Sequence, residues 1–261
     1  MNILVCIKQV PGTMQVEVDP VTGTLKRDGV PSKMNPYDLY ALETAISLRE
    51  RHGGRVTAVT MGPPQARSIL LEAAAMGADG GLLLSGREFA GSDVLSTSRA
   101  IAGAIRYLGN YDLVICGKQT TDGDTAQVGS ETAEHLGIPM AGNVISVEAD
   151  AAGVRLRCDM DAFIAEEYIP FPCLICMDAA VNTPRLPSYK RMKTITDDIV
   201  KVIGLKDLSD SDERHYGLSG SPTKVERIFP PERNTDKEMI EGTSAECAER
   251  LAGLLRARKF I

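Results

Sequence analysis

The first 140 residues of this 261-residue chain alternate between two hydrophobic periods, and that alternation restricts its fold more than any other feature. Short apolar runs at residues 3–8, 56–61, 81–84 and 113–116 read as strands, and residues 37–51, 64–76, 93–108 and 125–136 carry apolar side chains at helical spacing. A strand followed by a helix, four times over, predicts parallel strands joined by crossover helices that cover both faces of the sheet. The fold class is therefore α/β, a mostly parallel, doubly wound sheet. Ligands of such sheets lie beyond the carboxyl ends of the strands, where the strand order reverses. Four junctions become candidates together: residues 6–11, Met61-Gly62-Pro63, residues 85–98 and residues 117–125.

After Gly142 the period changes. Residues 144–148, 154–158 and 164–177 read as extended, with Ala151-Ala152-Gly153 as a hairpin turn, and are expected as antiparallel additions to the same sheet. Residues 184–193 are basic and irregular, a polar tract covers 207–222, and a terminal helix is expected near 244–258. A long carboxyl segment with one helix makes little core of its own. The expected division is an α/β domain over residues 1–195 and a C-terminal arm over 196–261 that packs on another subunit.

Of the four junctions, the last is the richest. An apolar run ends at Gly117, Lys118-Gln119-Thr120-Thr121-Asp122-Gly123-Asp124 follows, and a helical pattern opens near Thr125-Ala126-Gln127-Val128. Backbone N–H groups are thus presented where a phosphate could sit. Neither G-x-G-x-x-G nor G-x-x-x-x-G-K-[ST] occurs in the chain, which disfavours a dehydrogenase fingerprint and a Walker-type NTPase. Lys118 would supply a cation for a phosphate, whereas Asp122 and Asp124 would repel one unless they cap the helix or accept ribose hydroxyls. The same residues also suit an ordinary βα loop with Thr and Asp as N-caps. Asp122-Gly123-Asp124 supplies too few oxygens for a hard cation, so no metal is expected.

A net charge of −6 argues against nucleic acid or an anionic membrane as the main partner. No apolar run approaches the roughly 20 residues of a membrane span. The amino terminus enters strand-like sequence directly, and a cytoplasmic location is expected. The six cysteines, at 6, 116, 158, 173, 176 and 247, lack four-ligand spacing. Cys173 and Cys176 stand three apart in a strand-like run, so they face opposite ways as core thiols. With three scattered histidines and no G-x-S-x-G or H-E-x-x-H, hydrolytic chemistry finds no support, and no residue is assigned as acid, base or nucleophile.

Taken in order, Ile3-Leu4-Val5-Cys6-Ile7-Lys8-Gln9-Val10-Pro11, Met34-Asn35-Pro36-Tyr37-Asp38, Ala73-Ala74-Ala75-Met76-Gly77-Ala78-Asp79 and the run from Gly117 to Gly129 resemble the β subunit of electron-transfer flavoproteins, a group that includes the FixA-type proteins. The resemblance covers essentially the whole chain. It implies a Rossmann-like adenine-nucleotide-binding fold paired with an α subunit that carries its own FAD. It also implies nucleotide contacts at Cys6, Asn35, Pro36, Tyr37, Asp38, Met61 and every residue from Gly117 to Val128, on three of the four junctions chosen above. Simple carriers of this family hold AMP in the β subunit, while flavin-bifurcating members hold a second FAD and meet NADH.

Residues 85–98, Ser-Gly-Arg-Glu-Phe-Ala-Gly-Ser-Asp-Val-Leu-Ser-Thr-Ser, resemble the bifurcating form. That likeness implies flavin contacts at Phe89, Ala90, Gly91, Ser92, Asp93 and Thr97, although Asp93 is equally placed to cap a helix. Arg87 suits a reduced flavin anion, a nicotinamide phosphate or a surface salt bridge. Residues 182–193 match the family's recognition loop, in which Leu186 would anchor a redox partner amid Arg185, Lys190, Arg191 and Lys193. The function implied is electron bifurcation. NADH delivers a hydride to FAD held here, and one electron passes through the α-subunit flavin to an acyl-CoA dehydrogenase or related flavin dehydrogenase, the other to ferredoxin or flavodoxin. The alternative is a non-bifurcating carrier whose β subunit binds AMP for assembly.

Overall fold

Along the chain, β1 (Asn2–Cys6) is followed by β2 (Gln9–Pro11), β3 (Ser32–Met34), α1 (Pro36–His52), β4 (Arg55–Met61), α2 (Arg67–Met76), β5 (Gly80–Leu84), α3 (Val94–Leu108), β6 (Leu113–Gly117) and α4 (Val128–Leu136). Then come β7 (Met140–Ala149), β8 (Gly153–Asp159), β9 (Ile164–Pro170), β10 (Cys173–Met177), α5 (Tyr189–Thr194), β11 (Val200–Ile203) and α6 (Ser244–Ala257). The structure, a computed structural model, describes residues 1–12, 32–179, 181–224 and 237–261. It comprises two compact units, Met1–Glu226 and Arg227–Ile261.

Nine strands of the first unit form one sheet in the order β11-β5-β4-β1-β6-β10-β7-β8-β9, while β2 and β3 pair separately as an antiparallel ribbon. From β11 to β7 every neighbouring pair is parallel, and β8 and β9 add on antiparallel. The chain steps from β1 to β4 to β5 in one direction and then returns with β6 to the other side of β1. The strand order therefore reverses between β1 and β6.

Two helix layers follow from the two-residue period of the strands. Ile3 and Val5 join Leu42, Ile46 and Leu70 of α1 and α2 in one core, and Leu4 joins Ile101, Ile105 and Ala133 of α3 and α4 in the other. Helix α1 shows why these residues choose a helix. Pro36 opens it, Asp38 lies in the first turn, and Arg49, Arg51 and His52 lie in the last, complementing the helix dipole. Gly53 then ends it at φ 72°, its N–H donated to the Arg49 carbonyl. Its Leu42, Ile46 and Leu48 are fully buried, each worth about 1.5–3 kcal/mol of transfer free energy.

Several expectations are corrected. The run 164–177 is two strands, and β10 is no antiparallel addition: it lies between β6 and β7, parallel to both. All five of its residues are buried, as a central parallel strand requires, and a continuous apolar run carries no sign of strand direction. Cys173 and Cys176 do enter opposite cores, as their spacing implies. Helix α4 begins at Val128 instead of near Thr125, because Asp124 and Ala126 hold left-handed φ values of 53° and 55°. The first unit runs past residue 195: β11 pairs with β5, and Leu205, Leu208 and Tyr216 are buried in the core on the α3 side.

In the second unit α6 opens with a capping box, Thr243 accepting from the Glu246 N–H and Glu246 accepting from the Thr243 N–H. Among the described residues no helix is long and apolar enough to cross a membrane.

Candidate functional site

Where the strand order reverses, one buried side chain ties three segments together. Asn35, fully buried ahead of α1, donates through Nδ2 to Asp38 Oδ1 at 2.9 Å and to the Gln119 carbonyl at 2.9 Å. Its Oδ1 accepts from the Thr121 N–H at 3.2 Å, and its own N–H reaches the Lys8 carbonyl at 2.9 Å. The end of β1, the start of α1 and the loop after β6 are thereby held as one rim. Asp38 completes it, accepting the Lys8 N–H on Oδ2 at 2.7 Å. Burial pushes the Asp38 carboxyl up to about 7, against the hydrogen bonds it accepts from Asn35 and the Lys8 backbone.

Gly117 meets this rim with no space to spare. A Cβ there would lie 2.4 Å from Asp38 Oδ1 and 2.8 Å from the Tyr37 Cβ, so only hydrogen fits. Cys6 and Met61, at the ends of the neighbouring strands β1 and β4, are half-buried beside it. Residues 121–127 are all exposed. Gln127 makes no side-chain cap on α4, so the first N–H groups of that helix remain open donors at its positive end. Two non-glycine residues in the left-handed region directly ahead of it store backbone strain of the kind concentrated at ligand loops.

The charged side chains of the loop do not stand as the sequence suggests. Lys118 Nζ pairs with Asp178 Oδ2 at 2.9 Å, so it is no free phosphate cation. Asp122 accepts from Lys8 Nζ at 2.7 Å and does not cap a helix; α4 starts too late for either Asp122 or Asp124 to do so. Those two ion pairs join residues 114 and 60 apart, and no local signal in the sequence marks them.

Residues 85–98 follow β5, separated from β1 by β4. Phe89 is turned into the core, its ring edge-on to Tyr216 with centroids 5.4 Å apart. Ser92 Oγ donates to the Phe89 carbonyl at 2.8 Å. Asp93 caps α3, accepting from the Ser96 N–H at 3.1 Å on one oxygen. On the other it accepts from the N–H and hydroxyl of Thr223 at 3.0 and 2.5 Å. Burial pushes the Asp93 carboxyl up, but the hydrogen bonds from Thr223 and Ser96 outweigh it and hold the group below the usual range. Ser221 closes the clasp, accepting from the Asp93 N–H at 2.8 Å.

Gly91 has φ 75°, and a Cβ on it would stand 3.3 Å from Leu218. Phe89, Ser92 and Asp93 are thus occupied within the protein, while Arg87, Ala90 and Gly91 are exposed and Thr97 is half-buried. Ser221 lies in the tract that reads as polar and Thr223 just beyond it, and nothing local in the sequence marks either.

In the segment 182–193, Leu186 is 87% exposed, and Lys190 and Lys193 are exposed beside it. The expected basic rim is only half present. Arg185 is bound to Glu43 at 2.9 Å and Glu50 at 2.6 Å, and Arg191 donates to the carbonyls of Ala74 and Ala78 at 2.9 and 3.0 Å.

Residues 22–202 match the family model described as electron transfer flavoprotein domain. The chain is 43% identical over 261 residues to the electron transfer flavoprotein subunit beta of Clostridium acetobutylicum, covering 100% of both. It is 39% identical over 263 residues to the caffeyl-CoA reductase-Etf complex subunit CarD of Acetobacterium woodii, again covering 100% of both. With protein FixA of Azorhizobium caulinodans it shares 42% identity over 244 residues, 91% of this chain and 87% of that protein.

Proposed function

The chain belongs to the electron transfer flavoprotein β-subunit family, and from that membership we propose that it holds FAD across the β1/β6 switch point and serves as the NADH-facing subunit of a bifurcating electron carrier. The observation that carries the reading is the exposed, uncapped amino end of α4, preceded by two left-handed residues and set against the Asn35–Asp38–Gly117 rim. A pyrophosphate fits that end, where open N–H groups and the helix dipole both favour an anion. With Lys8 and Lys118 already paired, the phosphate contacts fall to the backbone.

Around residues 85–98 the outward groups are Arg87, the Ala90-Gly91 backbone and, in part, Thr97, so a flavin ring would meet chiefly backbone there. FAD so held would supply the hydride acceptor for NADH and release electrons singly, one towards the α-subunit FAD and one towards ferredoxin or flavodoxin. No side chain of this subunit is required to transfer a proton. The first electron would leave the heterodimer for an acyl-CoA dehydrogenase or related flavin dehydrogenase docked at Leu186. The full-length likeness to CarD, named as part of a caffeyl-CoA reductase complex, supports a partner of that kind. A cytoplasmic setting accompanies this reading.

One observation favours a second reading, in which the subunit binds AMP for assembly alone. Ser92 and Asp93 are satisfied within the protein, as a loop without a flavin would require. Nucleotide content decides. The chain is co-expressed with its α subunit, purified without added nucleotide and denatured, and the released FAD and AMP are quantified. Two FAD per heterodimer and no AMP is the expected result; one FAD with one AMP replaces bifurcation with simple electron carriage.

A further inference from the structure

The exposed segment after β10 is fixed at both ends by arginines. On the α1 side, Asn182 Nδ2 donates to the Tyr40 carbonyl at 3.0 Å and to Thr44 Oγ1 at 2.9 Å. Arg185 follows with its backbone N–H and Nε both on Glu43 Oε2, at 3.0 and 2.9 Å, and Nη2 on Glu43 Oε1 at 2.9 Å. Its Nη1 and Nη2 also reach Glu50 Oε1 and Oε2, at 2.6 and 3.0 Å. Burial pushes the Glu43 carboxyl up, yet its bonds with Arg185 outweigh that and hold it below the usual range. On the α2 side, the Ser188 N–H reaches the Ala75 carbonyl at 3.0 Å, and the Arg191 guanidinium donates to the carbonyls of Ala74, in the last turn of α2, and Ala78, just beyond it.

Along this braced segment and just past it the apolar side chains face outward. Leu186, Tyr189 and Met192 recur every third residue at 87%, 73% and 58% exposure. Lys190 and Lys193 stand among them without an ion pair among the described residues, Lys193 Nζ lying 5.3 Å from the centre of the Tyr189 ring. Arg185 contributes no attraction for an acidic surface, since its single positive charge is set against the two carboxylates of Glu43 and Glu50.

We propose that Arg185 and Arg191 are positioning residues that brace this segment between α1 and α2, presenting Leu186, Tyr189 and Met192 as a preformed apolar ridge to a partner protein whose apolar pocket is rimmed by acidic side chains. Lys190 and Lys193 supply the complementary charge. The ridge gains affinity because its ordering is complete before contact. The inference rests on the docking role given to Leu186 above.

Arginine's fork cannot be replaced by lysine, although the charge can, and that separates a brace from a steering charge. The test uses the assembled heterodimer with a purified short-chain acyl-CoA dehydrogenase as probe. Electron transfer is followed against dehydrogenase concentration at several ionic strengths, and amide hydrogen exchange is followed in the free heterodimer. For Arg185→Lys the expected result is faster exchange at residues 186–192 and a KM for the dehydrogenase raised about tenfold, with kcat and the salt dependence unchanged. Glu43→Gln is expected to act in the same direction, whereas a steering role predicts tighter docking once the cation is released.

The double variant Lys190→Gln/Lys193→Gln is expected to flatten the salt dependence and leave exchange as it was. Unchanged exchange and KM in Arg185→Lys, or a flattened salt response there, would overturn the brace. If the unmodified heterodimer exchanges no electrons with the dehydrogenase, the docking role of Leu186 fails on its own. Exchange at 186–192 in Arg185→Lys and Glu43→Gln then decides the brace alone.

Discussion

At the scale of single residues, the rim at the switch point turns on Gly117 and Asp38. Gly117→Ala would drive a Cβ to 2.4 Å from the Asp38 carboxylate and into the Tyr37 backbone, an overpacking cost of about 1–3 kcal/mol. Urea unfolding of the heterodimer should show a lowered midpoint with an unchanged slope. Asp38 carries a pH signature. Its folded-state pKa of about 7 lies above the unfolded value of 3.8, so the folded protein retains a proton that the unfolded chain has released. The contribution of this group is therefore full below about pH 4 and is lost as pH rises through 7. Asp38→Asn should flatten the stability profile across that window, read from urea midpoints at successive pH values. Of this rim the sequence shows the residues but not their bonding. The single side chain of Asn35 reaches a carbonyl 84 positions away, a pairing that no local pattern announces.

For the secondary-structure elements, local period decides what can be read. Helices α1, α2 and α3 lie within a few residues of their expected bounds, because each ends on a glycine visible in the sequence, Gly53, Gly77 and Gly109. The start of α4 is displaced because two left-handed residues interrupt a pattern that composition alone would continue. The strand β11 is a short apolar run outside the βα alternation, and the Ser221–Thr223 clasp lies in polar sequence; the role of each comes from partners on β5 and α3. The clasp can be separated from the cap. Asp93→Ala removes the cap and the Thr223 contacts, leaving only the backbone N–H on Ser221, and should destabilise by about 0.5–2 kcal/mol through the cap alone, with faster amide exchange in the first turn of α3. Thr223→Val keeps the cap, so exchange should rise over residues 89–92 while α3 stays protected. Equal protection loss in α3 for both variants would show that cap and clasp are one unit.

Across the whole molecule, a nucleotide at the proposed switch-point site would join the loops after β1 and β6, the two parallel strands between which the strand order reverses. A ligand bound only by the folded state adds about 2.7 kcal/mol of stability at a concentration of 100 times Kd. The nucleotide-depleted heterodimer should therefore show a Tm that climbs with added FAD, or with AMP if that is the ligand. Gly117→Ala should blunt the response, and a Tm independent of both would remove the nucleotide from this place.

The position of β10 has a further consequence, for the order of events during synthesis. Strands β7, β8 and β9 are sequence neighbours that pair with one another, so that ladder can form as soon as residues 140–170 exist. Strand β6, made earlier, and β7 are not partners; each lacks the same neighbour until β10 arrives between them. A nascent chain thus carries two open edges facing one vacant slot, and the ladder must fold back for the sheet to close. Ribosome-bound chains that end just before Cys173 should be the most prone to pair with one another, and a few more residues should make them soluble.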